Sequence, residues 1–190
     1  MTAALVGLLL AAGQGRRFGG DKLLHPLPDG TPIAVLAARH LREACPRSIA
    51  VLRPEQLELA GLLQAEGLET VFCPAAVEGM GHSLAAGVAA SATAAGWVVA
   101  LADMPFLQVD TLIRVADAVS SGATLAAPFH DGRRGHPVGF SAHWRDELLG
   151  LTGDEGARAI LTAHKADLIA IETDDAGCLR DVDTRADLPA

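Results

Sequence analysis

Cysteine is scarce in this 190-residue chain: there are 3, at Cys45, Cys73 and Cys178. They are odd in number, scattered, and form no C-x-x-C pair. Neither a disulfide framework nor a zinc site is supported, and a reducing cytoplasm is the expected home. Positive charge is also short, with 15 Lys and Arg against 23 Asp and Glu and a formal charge of −8. That balance argues against general nucleic-acid binding, which needs a broad basic surface. Long apolar runs are missing too. The opening stretch Met1–Ala12 is apolar but too short to span a bilayer. It lacks the basic start of a signal peptide and runs straight into a glycine-rich loop. Later apolar stretches are broken by charge or proline, so no membrane helix is expected. Repeats, low-complexity tracts and linkers are absent, and residues 1–190 read as one domain.

What the chain does have is 50% hydrophobic and 20% charged residues, a globular balance. Short apolar runs alternate with longer helical segments, which predicts βαβ units and a mostly parallel sheet flanked by helices. Strands are expected at Ala3–Leu10, Ser48–Leu52, Glu69–Phe72, Trp97–Ala102, Ala123–Pro128 and Asp167–Ile171, with a further one at Pro137–Phe140. Helices are expected at Ile33–Ala44, Pro54–Glu66, His82–Ala95, Val109–Ser120 and Glu155–His164. Pro54 suits a first helical turn and Gly67 a helix end. In open α/β sheets ligands sit beyond the carboxyl ends of the strands. The loops after Leu10, Phe72 and Ala102 therefore matter most.

The first of these loops runs from Leu10 to Lys22 and contains Gly13, Gly15, Gly19 and Gly20 with Arg16, Arg17 and Lys22. Glycines let successive N–H groups converge on one anion, and the cations add charge, Lys22 as a point charge on a phosphate. A plain strand-to-helix turn with solvated cations is the bland alternative. Two familiar phosphate loops do not fit. A dinucleotide loop starting at Gly13 meets Phe18 where its last glycine belongs. A P-loop starting at Gly15 meets Asp21 where its lysine belongs. Gly81-His82-Ser83-Leu84 falls short of a nucleophile elbow, because Ala85 stands in the last glycine position and no strand directly precedes the serine.

Leu10-Ala11-Ala12-Gly13-x-Gly15-x-Arg17 with Lys22-Leu23-Leu24 resembles the signature of nucleotidyltransferases with a Rossmann-like core. The likeness is greatest to the molybdenum cofactor nucleotidyltransferases, particularly the cytidylyltransferase branch. It extends through Glu78-Gly79-Met80-Gly81-His82-Ser83-Leu84, Leu101-Ala102-Asp103-Met104-Pro105-Phe106, Arg134-Gly135-His136-Pro137-Val138, Gly153-Asp154-Glu155-Gly156-Ala157-Arg158 and Asp181-Val182-Asp183-Thr184, in family order over nearly the whole chain. The resemblance implies a magnesium-dependent enzyme that moves CMP from CTP onto the phosphate of molybdopterin. GTP as donor, a sugar-phosphate acceptor, or a non-catalytic accessory role beside a molybdenum enzyme are the alternatives.

Residue roles follow from the same resemblance. Lys22, Arg17 and Asp103 are the expected catalytic residues. Leu10, Ala11, Ala12, Gly13, Gly15, Gly79, Met80, Gly81 and Ser83 are expected to hold the nucleotide. Ser83 has a second reading as a helix N-cap. His136, Pro137 and Asp154 are expected at the acceptor, although the histidine could be structural and Asp154 has the spacing of an N-cap. Asp103 ends a strand and is expected to ligate Mg2+, which commonly takes one or two carboxylates. Asp181 is assigned as the second ligand. Asp183 lies two residues on and shares its face if the segment is extended. It is read instead as the cap of a short helix at Thr184–Leu188.

Overall fold

The structure is a computed structural model that describes residues 4–15 and 17–188. Eight strands form one sheet: β1 (Leu5–Leu10), β2 (Ser48–Leu52), β3 (Glu69–Phe72), β4 (Gly96–Leu101), β5 (Leu125–His130), β6 (Arg133–Arg134), β7 (Val138–Ser141) and β8 (Leu168–Glu172). Their spatial order is β3-β2-β1-β4-β7-β5-β6, with β8 on β5. β1 to β4 pair in parallel, as do β5 and β8. β7 is antiparallel to both β4 and β5, and β6 is antiparallel to β5. The chain winds outward from β1 to β3 and then returns to the other side of β1 as β4. That reversal opens a crevice beyond the carboxyl ends of β1 and β4.

Side chains along each strand alternate between two apolar layers, as the period of two requires. Leu9, Ala50 and Ala100 face one layer, which α1 (Ile33–Ala44), α2 (Leu57–Ala65) and α4 (Val109–Ser120) cover with Leu41, Leu63 and Val115. Leu8, Leu10, Ile49 and Val99 face the other. It is covered by α3 (Met80–Ala90), α5 (Arg145–Leu149) and α6 (Arg158–Ala163), through Leu84, Leu148 and Ile160. Strands buried on both faces read as continuous apolar runs, which made the parallel half recognisable. Gly7 lies so close under α1 that a Cβ would meet Ser48 Oγ and Leu41.

The expected bounds match for β2, β3, α1 and α4, and Gly67 does follow a helix end with φ 84°. Elsewhere local chemistry shifts them. α2 starts at Leu57, not Pro54, because Gln56 uses its side chain on the Arg53 N–H (2.7 Å) and the Ala11 carbonyl (3.0 Å). α3 ends at Ala90, where the Ser91 hydroxyl donates to the Gly87 carbonyl and accepts from Trp97 Nε1. α6 starts only at Arg158, because Gly153 and Gly156 adopt positive φ. Its N-cap is Ala157, so Asp154 does not cap it. Ser83 is not a cap either: α3 begins with Gly79 as N-cap and Ser83 lies inside its first turn. Among the described residues no helix is long and apolar enough to cross a membrane. All three cysteines are free and buried.

Candidate active site

The loop after β1 is held by its own carbonyls. Arg53 Nη1 donates to the carbonyls of Ala12 (2.6 Å) and Gly13 (2.7 Å), and Gln56 holds that of Ala11. With those acceptors taken, the N–H groups of Ala12 and Gly13 have no acceptor among the described residues. This is the nest that glycine freedom permits, and Gly15 has φ 55°. Arg53 and Gln56 were not anticipated. The strand-end rule points to them, since they follow β2, the neighbour of β1. Arg16 lies outside the described residues.

Lys22 is only 8% exposed and its ammonium donates to Asp103 Oδ2 at 2.7 Å and Asp183 Oδ1 at 3.5 Å. Arg17 reaches Asp183 Oδ2 at 2.9 Å from a side chain largely in solvent. Asp103 stands two residues beyond the end of β4, as strand-end placement requires. The C-terminal segment is tied to it: Val182 N–H donates to the Asp103 carbonyl at 2.8 Å, and Val182 is fully buried. With Val182 turned inward, Asp181 and Asp183 both face the site. Oxygens of Asp103, Asp181 and Asp183 lie within 4.8 Å of one another.

The capping role expected of Asp183 is therefore not the one observed. Thr184 is the N-cap of the closing 3-10 turn Arg185–Asp187, and Asp187 Oδ2 accepts from the N–H groups of Asp183 and Thr184. Asp187 supplies the capping box and leaves the Asp183 carboxylate free to meet Lys22.

Lys22 and Asp103 line a cleft of about 390 Å3, with Leu10, Ala12, Gly13 and Gln14 beside them on the strand side. Across it stand Val77, Gly79, Met80, Ser83 and Asp154. Ala11 is buried behind the cleft instead, its carbonyl bound to Gln56. Gly81 is also behind it. Its N–H donates to the Gly153 carbonyl at 2.8 Å, so that group is not available to a nucleotide. A Cβ on Gly79 or Gly81 would strike the backbone of residues 152–154. The glycines of the second motif thus dock the Gly153-Asp154 turn against the start of α3, which places Asp154 on the cleft wall.

His136 lines two neighbouring cavities rather than the cleft itself. It follows buried Gly135 and joins buried Pro137 through a cis peptide bond. Its Nδ1 is buried without a hydrogen-bond partner among the described residues. Burial, and secondarily the Arg134 guanidinium, push its pKa down to about 4, so it is neutral at neutral pH. The adjoining cavity of about 200 Å3 shares Leu10, Met80 and Leu101 with the cleft.

The sequence of residues 7–168 matches the family model for the MobA-like NTP transferase domain. The chain is 35% identical to the purine catabolism protein PucB of Bacillus subtilis, covering 95% of this chain and 92% of that protein. It is 32% identical to the nicotine blue oxidoreductase of Paenarthrobacter nicotinovorans, covering 95% and 92%. It is also 32% identical to the molybdenum cofactor guanylyltransferase of Cupriavidus pinatubonensis, covering 97% and 94%. Among solved structures, a protein of Mycobacterium tuberculosis H37Rv superposes with a TM-score of 0.82 at 26% identity, covering 98% of this chain and 96% of that one. That protein has also been crystallised with manganese, in a form that superposes with a TM-score of 0.76. With a buried lysine and three converging carboxylates set beside the loop after β1, and with the family model matching most of its length, the chain is a nucleotidyltransferase of the MobA-like family.

Proposed function

We propose that the chain transfers CMP from CTP onto the terminal phosphate of molybdopterin, releasing pyrophosphate, with Mg2+ as its metal. The observation that carries this reading is that Lys22 and Asp103 meet on the floor of one cleft beside the Ala12–Gly13 nest, with Asp183 on the same ammonium. The attacking phosphate is ionised at neutral pH and needs no general base. The difficulty is bringing two anions together, so positioning and charge neutralisation supply the catalysis.

Lys22 and Arg17 neutralise the triphosphate in this reading, while the N–H groups of Ala12 and Gly13 hold its oxygens. Gly15 shapes the loop and Gly79, Met80 and Ser83 face the base and ribose. Val77 and Met80, both well exposed, give the cleft an apolar rim against which a base can lie. Three carboxylates in reach of one point are the hard oxygen donors that Mg2+ takes. Asp103 and Asp181 would hold it, and an Asp183 oxygen lies within 4.8 Å of theirs. Bound there, the ion neutralises charge on the phosphates between which the group passes. Asp154 on the cleft wall, and His136 and Pro137 at the adjoining cavity, serve the acceptor.

GTP is the second reading for the donor, favoured by the name of the Cupriavidus relative. Turnover of labelled CTP and of GTP, each with molybdopterin, with and without Mg2+, decides between them. Pyrophosphate release from neither nucleotide would overturn the proposal.

A further inference from the structure

Arginines in this acidic chain are mostly paired. Arg39 holds Glu66, Arg47 holds Glu69, Arg53 holds Glu55, and Arg17 holds Asp183. Among the described residues Arg133, Arg185, Arg134 and Arg158, all exposed, have no carboxylate or carbonyl partner, and of these Arg134 and Arg158 stand together. Both line the same cavity of about 200 Å3, whose deeper wall is Leu84, Val99, Val138 and Phe140. Burial, and then the nearby Arg158 charge, lower the pKa of Arg134. Two like charges are therefore held close over an apolar hollow, an arrangement that an intervening anion relieves.

The position of this pair is specific. The cavity opens onto the nucleotide cleft along Leu10, Met80 and Leu101. Arg134 and His136 also border a third cavity, where they stand with Asp181 of the carboxylate cluster. Glu155 and Asp181 are the acids on these walls, and neither is within ion-pair distance of Arg134 or Arg158.

We propose that Arg134 and Arg158 form a subsite for the phosphomonoester of the acceptor, whose uncharged body enters the apolar cavity beside them. Guanidinium forks match phosphate oxygens bidentately and remain charged at any working pH. A phosphate held there lies between the cavity and the carboxylate cluster. The unpartnered Nδ1 of neutral His136 is left to a hydrogen-bonding group on the acceptor's ring. The anion subsite stands on the arginine geometry alone. Its assignment to the acceptor rests on the transferase reading above.

The experiment has two arms. In the first, the whole protein is titrated with phenyl phosphate while the arginine Nε–H signals are followed by NMR. The Arg134 and Arg158 signals should shift and saturate, and phenol should leave them in place. In the second, molybdopterin transfer is measured for Arg134→Gln, Arg158→Gln and the double variant. KM for molybdopterin should rise roughly 10–100-fold in the double variant, as expected for lost charge-assisted hydrogen bonds, with KM for the nucleotide within about twofold of wild type. If phenyl phosphate moves both signals but no nucleotide reaches molybdopterin, the subsite stands and the acceptor reading fails. If transfer proceeds with an unchanged molybdopterin KM in the double variant, or the two signals do not respond, the subsite is refuted.

Discussion

Lys22 and Asp183, 161 residues apart in the chain, bring ammonium and carboxylate to 3.5 Å at the edge of the cleft, and the same ammonium lies 2.7 Å from Asp103. One cation thus stands among the carboxylates proposed to ligate metal. Lys22→Ala should cut nucleotide transfer by ~10²–10³, the usual cost of removing one preorganised electrostatic group. Circular dichroism should show an unchanged fold. Near wild-type turnover would remove this loop from the mechanism.

Metal binding tests the acid cluster separately. Mn2+ titrated in the presence of nucleotide and followed by electron paramagnetic resonance should bind wild type and be lost in Asp103→Asn. Because oxygens of Asp181 and Asp183 are both within 4.8 Å of the others, Asp181→Asn and Asp183→Asn should each weaken it. Full Mn2+ affinity in Asp103→Asn would separate that residue from the metal.

Base choice turns on Ala12, which is 5% exposed and lines the cleft. In the proposed reading its methyl narrows the space beside the base, which would favour a pyrimidine. The ratio of kcat/KM for CTP over GTP should fall in Ala12→Gly. A methylene-scale contact is worth ~1–3 kcal/mol, or roughly 10–200-fold. A wild-type preference for GTP would overturn the cytidylyl assignment and leave the transferase intact.

The parallel half of the sheet was legible because strands buried on both faces are plain apolar runs that end at turn signals. Asp103 could be picked out as a candidate because it stands just beyond such a run, and Lys22 because it closes the glycine-rich loop that follows another. What could not be read is contact between distant segments. Asp183 looked like a cap because its neighbour Thr184 starts a helical turn, and only the fold reveals that Asp187 does the capping. Gly81 looked like a nucleotide contact because its motif resembles one that holds the nucleotide, whereas its N–H is taken by Gly153 from across the chain. Arg53 carried no motif at all, since its role is to hold two carbonyls of another loop.

His136 makes stability depend on pH. Its folded pKa of about 4 lies below the ordinary histidine value of 6.5, so below 6.5 the unfolded chain takes up a proton that the folded chain refuses. Stability contributed by the neutral ring is present above pH 6.5 and is lost as pH falls toward 4. At pH 5 the loss relative to pH 7 is about 2 kcal/mol from this residue. Urea unfolding of wild type and His136→Gln at both pH values should show the difference in wild type alone. Equal pH dependence in the two would refute it.

Asp175 is 3% exposed and absent from every motif, yet its Oδ2 accepts from the Gln108 N–H (2.9 Å) and the Thr111 hydroxyl (2.8 Å), at the start of α4. Its Oδ1 accepts from the Gly177 N–H at 2.8 Å. Asp175→Ala should cost about 2–4 kcal/mol in urea unfolding, because three donors lose a charged acceptor. A loss below about 0.5 kcal/mol, the scale of an ordinary surface change, would count against it.

The hydrogen bond from Val182 to the Asp103 carbonyl closes the site only when the first loop, β4 and the last segment have met. Contacts of such sequence separation carry a loop-closure cost that the rest of the fold must offset. The unfolded chain does not hold these segments together, so nucleotide should bind the native state in preference. Nucleotide at a hundredfold excess over its Kd should raise global stability by about 2.7 kcal/mol. A thermal melt of the protein with CTP or GTP and Mg2+ can thus rank the two nucleotides without any acceptor in the tube.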